Sequence, residues 1–325
     1  MNFLLIAIRA LHFASTVLLA GALVFAVLVA GPVVRHVDSN PELIAWWRQS
    51  ARIAWISVTI AVLSGAAWLV VLAAEIGSRS LGEIFSDDIV WRVLTRTRFG
   101  TVWSARFVTA ALLAGGLIAL ARADHAVRRR LLAIIASLAV LLVGSLGWAG
   151  HASGTPALAG RVHVAADALH LVAASAWIGG LVPLALLLVA SRRIADPAVT
   201  MIARDATSRF SILGMIVVGT ILVTGMVNTY MLAGSVAALT TTHYGHLLLL
   251  KIGLFLAMVG VAAFNRLRLV PRLSSAHAVN DASRQLQRNS LIEATMGLLI
   301  LVIVGVLGTL PPAIHAVDSA HMHAD

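Results

Sequence analysis

The fold of this chain is decided by residues 151–183, HASGTPALAGRVHVAADALHLVAASAWIGGLVP. The segment begins as a polar loop that contains histidine and continues into an apolar stretch long enough to cross a membrane. His163, Asp167 and His170 lie at positions i, i+4 and i+7, so they share one face of the predicted helix. Because ionisable side chains are costly inside a membrane span, this face is interpreted as a functional site.

The composition is that of an integral membrane protein. The chain has 325 residues, 60% of them hydrophobic, and a mean hydropathy of +0.94. Eight segments approach the length of about 20 residues that a bilayer requires. They are residues 4–30, 52–74, 101–121, 131–149, 163–190, 209–233, 246–264 and 288–310. The predicted fold class is therefore an all-α integral membrane protein with eight transmembrane helices.

The basic residues indicate membrane topology rather than a nucleic-acid partner. The formal net charge is +10, and most arginines lie in the loops after the first, third, fifth and seventh spans. Because positively charged loops stay in the cytoplasm, both termini are predicted to face outward, away from the cytoplasm. The chain contains no cysteine, which excludes disulfides and thiolate metal ligands.

Two matched motifs indicate that the chain contains a four-span unit twice. Leu-His at His12 is followed nine residues later by Gly21, and Leu-His at His170 is followed by Gly179 at the same spacing. The sequence TRFG at residues 97–100 corresponds in the same way to THYG at residues 242–245. The predicted repeats are residues 1–150 and 151–325, which run parallel because four spans return the chain to its starting side.

The repeat pairs charged residues as well as histidines. His12 and His170 become equivalent positions, and we expect both rings to face one interior space. Arg9 and Asp167 occupy the same repeat position with opposite charge, which suggests an ion pair across the bundle. Arg106 and Lys251 are the third equivalent pair, since each follows the last glycine of its motif by six residues.

Further motifs, present in both halves, resemble those of a known family. They are RALHF (9–13), TRFGTVWSAR (97–106), GHASG (150–154), DALHLVAASAWIGGL (167–181), TGMVNTYM (224–231), TTHYGHLLLLKIGL (241–254) and FNRLRLVPRL (264–273), with Glu293 in the last span. The chain resembles the CopD copper-resistance membrane proteins. The resemblance implies an eight-span inner-membrane protein that handles copper, mostly by inward transport, with a periplasmic copper-binding partner of the CopC type. No CopC-like β-domain is fused to this chain, so such a partner would be a separate protein.

Imidazole and thioether groups are the candidate metal ligands. Imidazole suits copper in either oxidation state, whereas thioether favours Cu(I). The alternatives are a hydrogen-bonded packing role for each histidine and a gap-filling role for each methionine. The candidate ligands are His12, His151, His163, His170, Met226 and Met231. An additional set in the C-terminal tail is predicted to capture metal peripherally: His315, His321, Met322 and His323.

A second group of residues is predicted to orient the ligands or balance charge. The group consists of Arg9, Asp167, Asn228, Arg106, Lys251 and Glu293. Asp167 either orients a histidine tautomer or serves as the counter-ion of Arg9. Lys251, the only lysine, either extends to the membrane interface or meets an anion such as a propionate or lipid phosphate. Glu293 is either a proton or metal relay or half of a structural ion pair.

Two function classes remain open at this point. The first is a copper permease or relay protein, which requires no ATP-binding module; the chain has no Walker loop. The second is a haem b-binding redox protein, since the chain also resembles the oxygen-independent protoporphyrinogen oxidases more distantly. In that case His12 and His170 would hold the haem. We expect no enzymatic activity unless haem is bound, and a plain membrane anchor for a periplasmic partner is a third possibility.

Overall fold

The computed structural model describes residues 2–34, 40–77, 88–149, 157–194, 196–274 and 279–314. These residues are almost entirely helical, and they contain no strand. The helices, numbered along the chain, are α1 (Asn2–Phe25), α2 (Pro41–Gly77), α3 (Ile89–Arg96), α4 (Arg98–Arg122), α5 (His125–Gly144), α6 (Ala157–Ile194), α7 (Pro197–Ala233), α8 (Val236–Thr241), α9 (His243–Phe264) and α10 (Val279–Leu307). Short π-helical segments extend α1 over Ala26–Ala30 and α9 over Asn265–Leu269.

Eight of these helices are long and apolar enough to cross a membrane, which confirms the predicted fold class. Several helices are longer than their apolar segments, because hydropathy marks only the part that lies in hydrocarbon. Helix α7, for example, begins at Pro197 and not near residue 209. Its start is fixed by Asp196, whose side chain accepts a hydrogen bond from Ala198 N at 2.8 Å. The periplasmic placement of both termini stays a prediction.

Helices α1 and α6 form the centre of the bundle and cross at two glycines. A methyl group on Gly21 would overlap the backbone of Ser175 and Gly179. A methyl group on Gly179 would lie 2.8 Å from the Cα atom of Gly21. Glycine at both positions therefore lets the two backbones touch, the kind of close approach by which membrane helices associate.

The two four-residue motifs begin equivalent helices in the same way. Thr97 caps α4 by accepting a hydrogen bond from Gly100 N at 2.9 Å, and Thr242 caps α9 through Gly245 N at 3.0 Å. A methyl group on Gly100 would overlap the backbone of the preceding α3, and one on Gly245 would overlap α8. The shared motif therefore fixes a short helix against the start of a long one in both halves.

Candidate functional site

A cavity of about 620 Å³, here called the large cavity, opens between α1, α6, α7, α9 and α10 near the chain's N-terminus. Its walls are mostly apolar, with a small set of polar groups, which is the usual make-up of a ligand site. The structure brings seven of the predicted site residues to these walls. They are Arg9, His163, Asp167, His170, Met226, Asn228 and Lys251.

His170 is held by one ring nitrogen and leaves the other available. Its Nδ1 lies 3.0 Å from Thr224 Oγ1, and the Thr224 hydroxyl donates to Thr220 O at 2.7 Å. Because that hydroxyl proton is already used, the His170 Nδ1–H donates and Nε2 carries the lone pair. Within the described part of the chain, no hydrogen bond engages Nε2, so His170 presents a potential ligand atom in the cavity wall.

Asp167 lies in the same wall and takes part in two polar interactions. Asn228 Nδ2 donates to Asp167 Oδ1 at 3.3 Å, while Asn228 Oδ1 is buried and has no partner among the described residues. Asp167 and Lys251 also attract each other electrostatically. Opposite charges therefore partly balance next to His170, which lowers the free-energy cost of burying Asp167 and Lys251 there.

The other predicted ligands of this half occupy different positions. His163 is buried in the cavity wall, one helical turn before Asp167. Met226 also lines the cavity, but 65% of its surface is exposed. Met231 is half-buried and is not part of the wall. Within the ranges that the structure describes, no group of three His, Asp or Glu side chains is close enough to hold a metal ion.

Arg9 reaches the cavity from α1 without forming the predicted ion pair. Its guanidinium lies 4.4 Å from the centroid of the Trp68 ring, a cation–π distance. Among the residues in view, no ion pair links Arg9 to Asp167, and the buried Arg9 Nε has no partner. Gly308 lies directly against the guanidinium, and a methyl group there would overlap it. The indole face and the glycine surface thus take the place of the carboxylate.

His12 lies in a closed site of the first half. Its Nδ1 is 3.0 Å from Ser64 Oγ, and Ser64 donates its own proton to Ile60 O at 2.6 Å. His12 Nε2 accepts a hydrogen bond from Arg106 Nη2 at 2.6 Å. The rings of Trp68 and Trp103 cover the imidazole, with centroids at 5.7 and 5.2 Å. Both ring nitrogens of His12 are therefore occupied.

Arg106 fixes this closed site further by bonding to α5 and the turn after it. It donates to Leu142 O at 2.6 Å and to Ser145 Oγ at 2.5 Å. His12 is not part of the large-cavity wall, so the expectation that His12 and His170 face one interior space is wrong for this cavity. The reason is that the indoles of Trp68 and Trp103 and the guanidinium of Arg106 fill the space around His12, whereas the corresponding space around His170 is open.

The structure adds residues that the sequence interpretation missed. Ser64 and Thr224 form equivalent bonds to the two histidines, and Trp68 and Trp103 enclose His12. Alignment of the two halves on their matched residues would have predicted this difference, because the bulky indoles beside His12 have smaller side chains at the corresponding positions near His170. Trp68 follows Ser64 by four residues, where the second half has Asn228; Trp103 follows Gly100 by three, where the second half has Leu248.

Glu293 lies in a different place, beside a smaller cavity of about 290 Å³, here called the small cavity. Its side chain is buried and accepts hydrogen bonds from Trp177 Nε1 at 3.0 Å and Asn265 Nδ2 at 2.9 Å. The remaining predicted ligands, His151, His315, His321, Met322 and His323, lie outside the described residues.

Sequence profiles of one family match both halves of the chain. The profile described as Copper resistance protein D matches residues 204–307. The profile described as Copper resistance protein D-like, N-terminal domain, matches residues 1–162. Together they cover the His12 site and the α7 and α9 residues of the other site, whereas residues 163–203, which include His170, lie between the two matches.

Three known proteins are similar to this chain over most of its length. Inner membrane protein YebZ of Escherichia coli (strain K12) is 30% identical over 308 residues, which cover 94% of this chain and 98% of that protein. Copper resistance protein D of Pseudomonas syringae pv. tomato is 31% identical over 228 residues, 69% of this chain and 72% of that protein. Copper transport protein CutJ of Bacillus subtilis (strain 168) is 29% identical over 236 residues, 71% of this chain but only 40% of that protein.

Proposed function

Because this chain belongs to the copper resistance protein D family of multi-pass inner-membrane proteins, we propose that its large cavity receives copper as a substrate. The copper is then moved inward across the membrane or relayed within it. The observation that carries the proposal is His170, which lines the cavity with Nδ1 bonded to Thr224 and Nε2 available. A neutral imidazole nitrogen of this kind is a good copper ligand.

The weak coordination expected at this site favours passage over storage. A single well-placed imidazole, without a cluster of three ligands among the described residues, releases copper readily. Met226, at the exposed edge of the cavity, is the candidate first thioether contact. Asp167 opposes the charge of Lys251, which lowers the electrostatic repulsion that an arriving cation meets next to His170.

The proposal extends to a partner that delivers copper. A separate periplasmic protein of the CopC type would hand copper to His163 and Met226 at the cavity, and the C-terminal tail would assist at low copper. This proposal places the cavity mouth on the periplasmic side, in agreement with the topology predicted from the arginines. Surrounding lipid is the second partner, since large apolar side chains outside both cavities, such as Leu63 and Ile216, are exposed.

We also propose that residues 1–150 and 151–325 are two copies of one unit, of which only the second keeps an open site. Support comes from the equivalent histidine bonds at His12 and His170. The equivalent threonine caps of α4 and α9 add to it.

Haem b held between His12 and His170 does not fit the observed geometry. His12 already bonds to Ser64 and Arg106 and does not line the large cavity, so it offers no free nitrogen as an axial ligand. A haem would require a second ligand other than His12. The copper proposal is therefore the one that the described residues support.

A transport assay in proteoliposomes tests the proposal. We expect His170→Ala to lower the initial rate of copper uptake at least tenfold at equal protein content, with His246→Ala as the matched control. His246 is an exposed histidine whose Nε2 bonds to Thr240 O outside the cavity. Equal uptake by wild type and His170→Ala would remove His170 from the copper route. A Soret absorption band in the purified protein would return the haem alternative to consideration.

A further inference from the structure

The large and small cavities meet at one side chain. Trp177 of α6 lines both of them, and it lies seven residues after His170, about 10 Å further along the same helix. The small cavity is formed by α6, α7, α9 with its π-helical extension, and α10, including Glu293 and Asn265. The indole of Trp177 is thus part of the wall between the site of His170 and the small cavity, which lies further along α6 and contains the carboxyl group of Glu293.

Glu293 holds that indole in place. Trp177 Nε1 donates to Glu293 Oε2 at 3.0 Å, and Asn265 Nδ2 donates to Glu293 Oε1 at 2.9 Å. Asn265 is held in turn, because its Oδ1 accepts from Asn289 Nδ2 at 2.6 Å. Asn265 is also the first residue of a π-helical segment, a local distortion that is frequent at functional sites.

The carboxyl group is buried without a counter-ion in the described parts of the chain. Only 2% of the Glu293 surface is exposed. Arg266 of α9 lines the same small cavity, but its Nη1 donates to Ser211 Oγ at 2.8 Å, and no ion pair joins it to Glu293 among the described residues. A buried carboxylate that is supported only by neutral donors is a costly arrangement inside a membrane, and such groups commonly exchange protons.

Few charged or titratable side chains line the small cavity with Glu293, and the others lie beyond Trp177 in the large cavity. Helix α9 contributes Arg266 to the small cavity and Lys251 to the large one, and α6 contributes Asp167 and His170 on the far side of Trp177. Helix α7 contributes no titratable side chain to the described wall of the small cavity, and Glu293 is the one from α10.

We propose that Glu293 is a proton-binding site, and that binding of a proton releases Trp177 from the wall between the two cavities. Both carboxylate oxygens accept N–H donors, and no group of metal-ligating side chains surrounds Glu293 among the described residues, so the site suits a proton better than a metal ion. The bound proton occupies Oε2, because Asn265 cannot turn away from Oε1 without breaking its bond to Asn289. A protonated Oε2 is a weaker acceptor than a carboxylate oxygen, and the indole N–H cannot accept the new O–H, so Trp177 loses the charge-assisted bond that holds it when Glu293 becomes a neutral carboxylic acid.

This inference rests on the proposed function for its physiological meaning. If the large cavity carries copper, uptake and release of one proton at Glu293 control whether the two chambers communicate. A proton gradient can then be linked to copper movement without any nucleotide-binding module. The proton site itself is a property of the copper-free protein, so it can be tested separately.

The test is an infrared difference spectrum of the copper-free protein between high and low pH. We expect a carbonyl band from protonated Glu293 that is lost in Glu293→Gln and retained in Glu75→Gln, which changes an exposed carboxyl of α2. If Glu293→Gln is not recovered folded, Glu293→Asp serves instead, because the band should then shift in frequency. A band that is unchanged in the folded Glu293 variants would overturn the assignment.

Release of Trp177 is measured on the same samples by ultraviolet resonance Raman spectroscopy. The Trp177 signal is obtained by subtracting the spectrum of Trp177→Phe, which keeps an aromatic ring but has no N–H donor. We expect its hydrogen-bond-sensitive band to shift to the unbonded position over the same pH range as the carbonyl band. A Trp177 signal that stays constant while Glu293 becomes protonated would contradict the release. Because no copper is present, neither outcome depends on whether His170 binds copper.

Discussion

The sites around His12 and His170 begin with the same bond and differ in everything that surrounds it. Each histidine uses Nδ1 to contact a hydroxyl, on Ser64 and Thr224 respectively, at 3.0 Å. The second nitrogen of His12 is occupied by Arg106, whereas that of His170 has no hydrogen-bond partner in the described structure. The same histidine–hydroxyl contact thus occurs at a closed, structural histidine and at an open histidine beside a cavity.

The difference comes from side-chain size at a few equivalent positions. Trp68 and Trp103 pack on His12, and the corresponding residues by motif counting are Asn228 and Leu248. The smaller side chains leave the space that becomes the large cavity. The comparison teaches that a histidine in a membrane span indicates function only when the groups around it leave a nitrogen available.

The largest expected effect is a loss of stability when the closed site around His12 is altered. Arg106→Ala leaves His12 Nε2 and Ser145 Oγ without the hydrogen bonds that Arg106 donates, and each such loss costs about 1–3 kcal/mol. We expect the free energy of unfolding in detergent to fall by about 2–4 kcal/mol. Lys251→Ala is the matched variant at the open site, where the described residues show no hydrogen bond from the lysine, and it should destabilise much less. Equal losses for the two variants would contradict the closed-versus-open distinction.

A second prediction converts the open site towards the closed one. Asn228→Trp places an indole beside Asp167 in the large cavity, as Trp68 does beside His12. We expect the copper affinity of the purified protein to fall about tenfold or more, since loss of access to the ligand weakens binding directly. Val223→Trp, at an exposed position of the same helix outside the cavity, should leave copper affinity unchanged. Undiminished binding by Asn228→Trp would show that copper does not use this cavity.

The smallest expected effect concerns two equivalent glycines. A methyl group on Gly65 would lie 2.8 Å from the Trp103 ring and 3.2 Å from His12 Cε1, whereas one on Gly225 would meet His170 Cε1 at an ordinary 3.5 Å. We expect Gly65→Ala to destabilise by about 1–3 kcal/mol through overpacking. Gly225→Ala should be neutral or stabilising by up to about 1 kcal/mol, because alanine favours the helix. Thermal unfolding of the two variants measures the difference, and the reverse order would mean that the His12 site is the looser one.

The sequence predicts the framework of the molecule well because its signals are local. Eight apolar segments give eight spans, and the matched TRFG and THYG motifs cap equivalent helices. The face shared by His163, Asp167 and His170 is also found in one cavity wall, since helical spacing alone determines it.

The parts that sequence reasoning could not predict depend on which helices become neighbours. Opposite charges at equivalent positions suggested an Arg9–Asp167 ion pair, but Arg9 instead lies over Trp68, a residue more than 50 positions away in the chain. Likewise, the hydrogen bond between His12 and Arg106 joins α1 to α4, and it occupies the second ring nitrogen of His12 but has no counterpart at His170 among the described residues. Periodicity within one helix carries no information on such contacts, so open and closed histidines look alike in sequence.

The most direct test of the account is a copper titration of the purified protein under reducing conditions, comparing His170→Ala with His12→Ala. The account predicts that His170→Ala lowers copper affinity at least tenfold with little change in unfolding temperature. It predicts that His12→Ala keeps wild-type copper affinity but unfolds at a lower temperature, because Arg106 loses its acceptor. Loss of copper binding in His12→Ala, with normal binding in His170→Ala, would contradict the central claim.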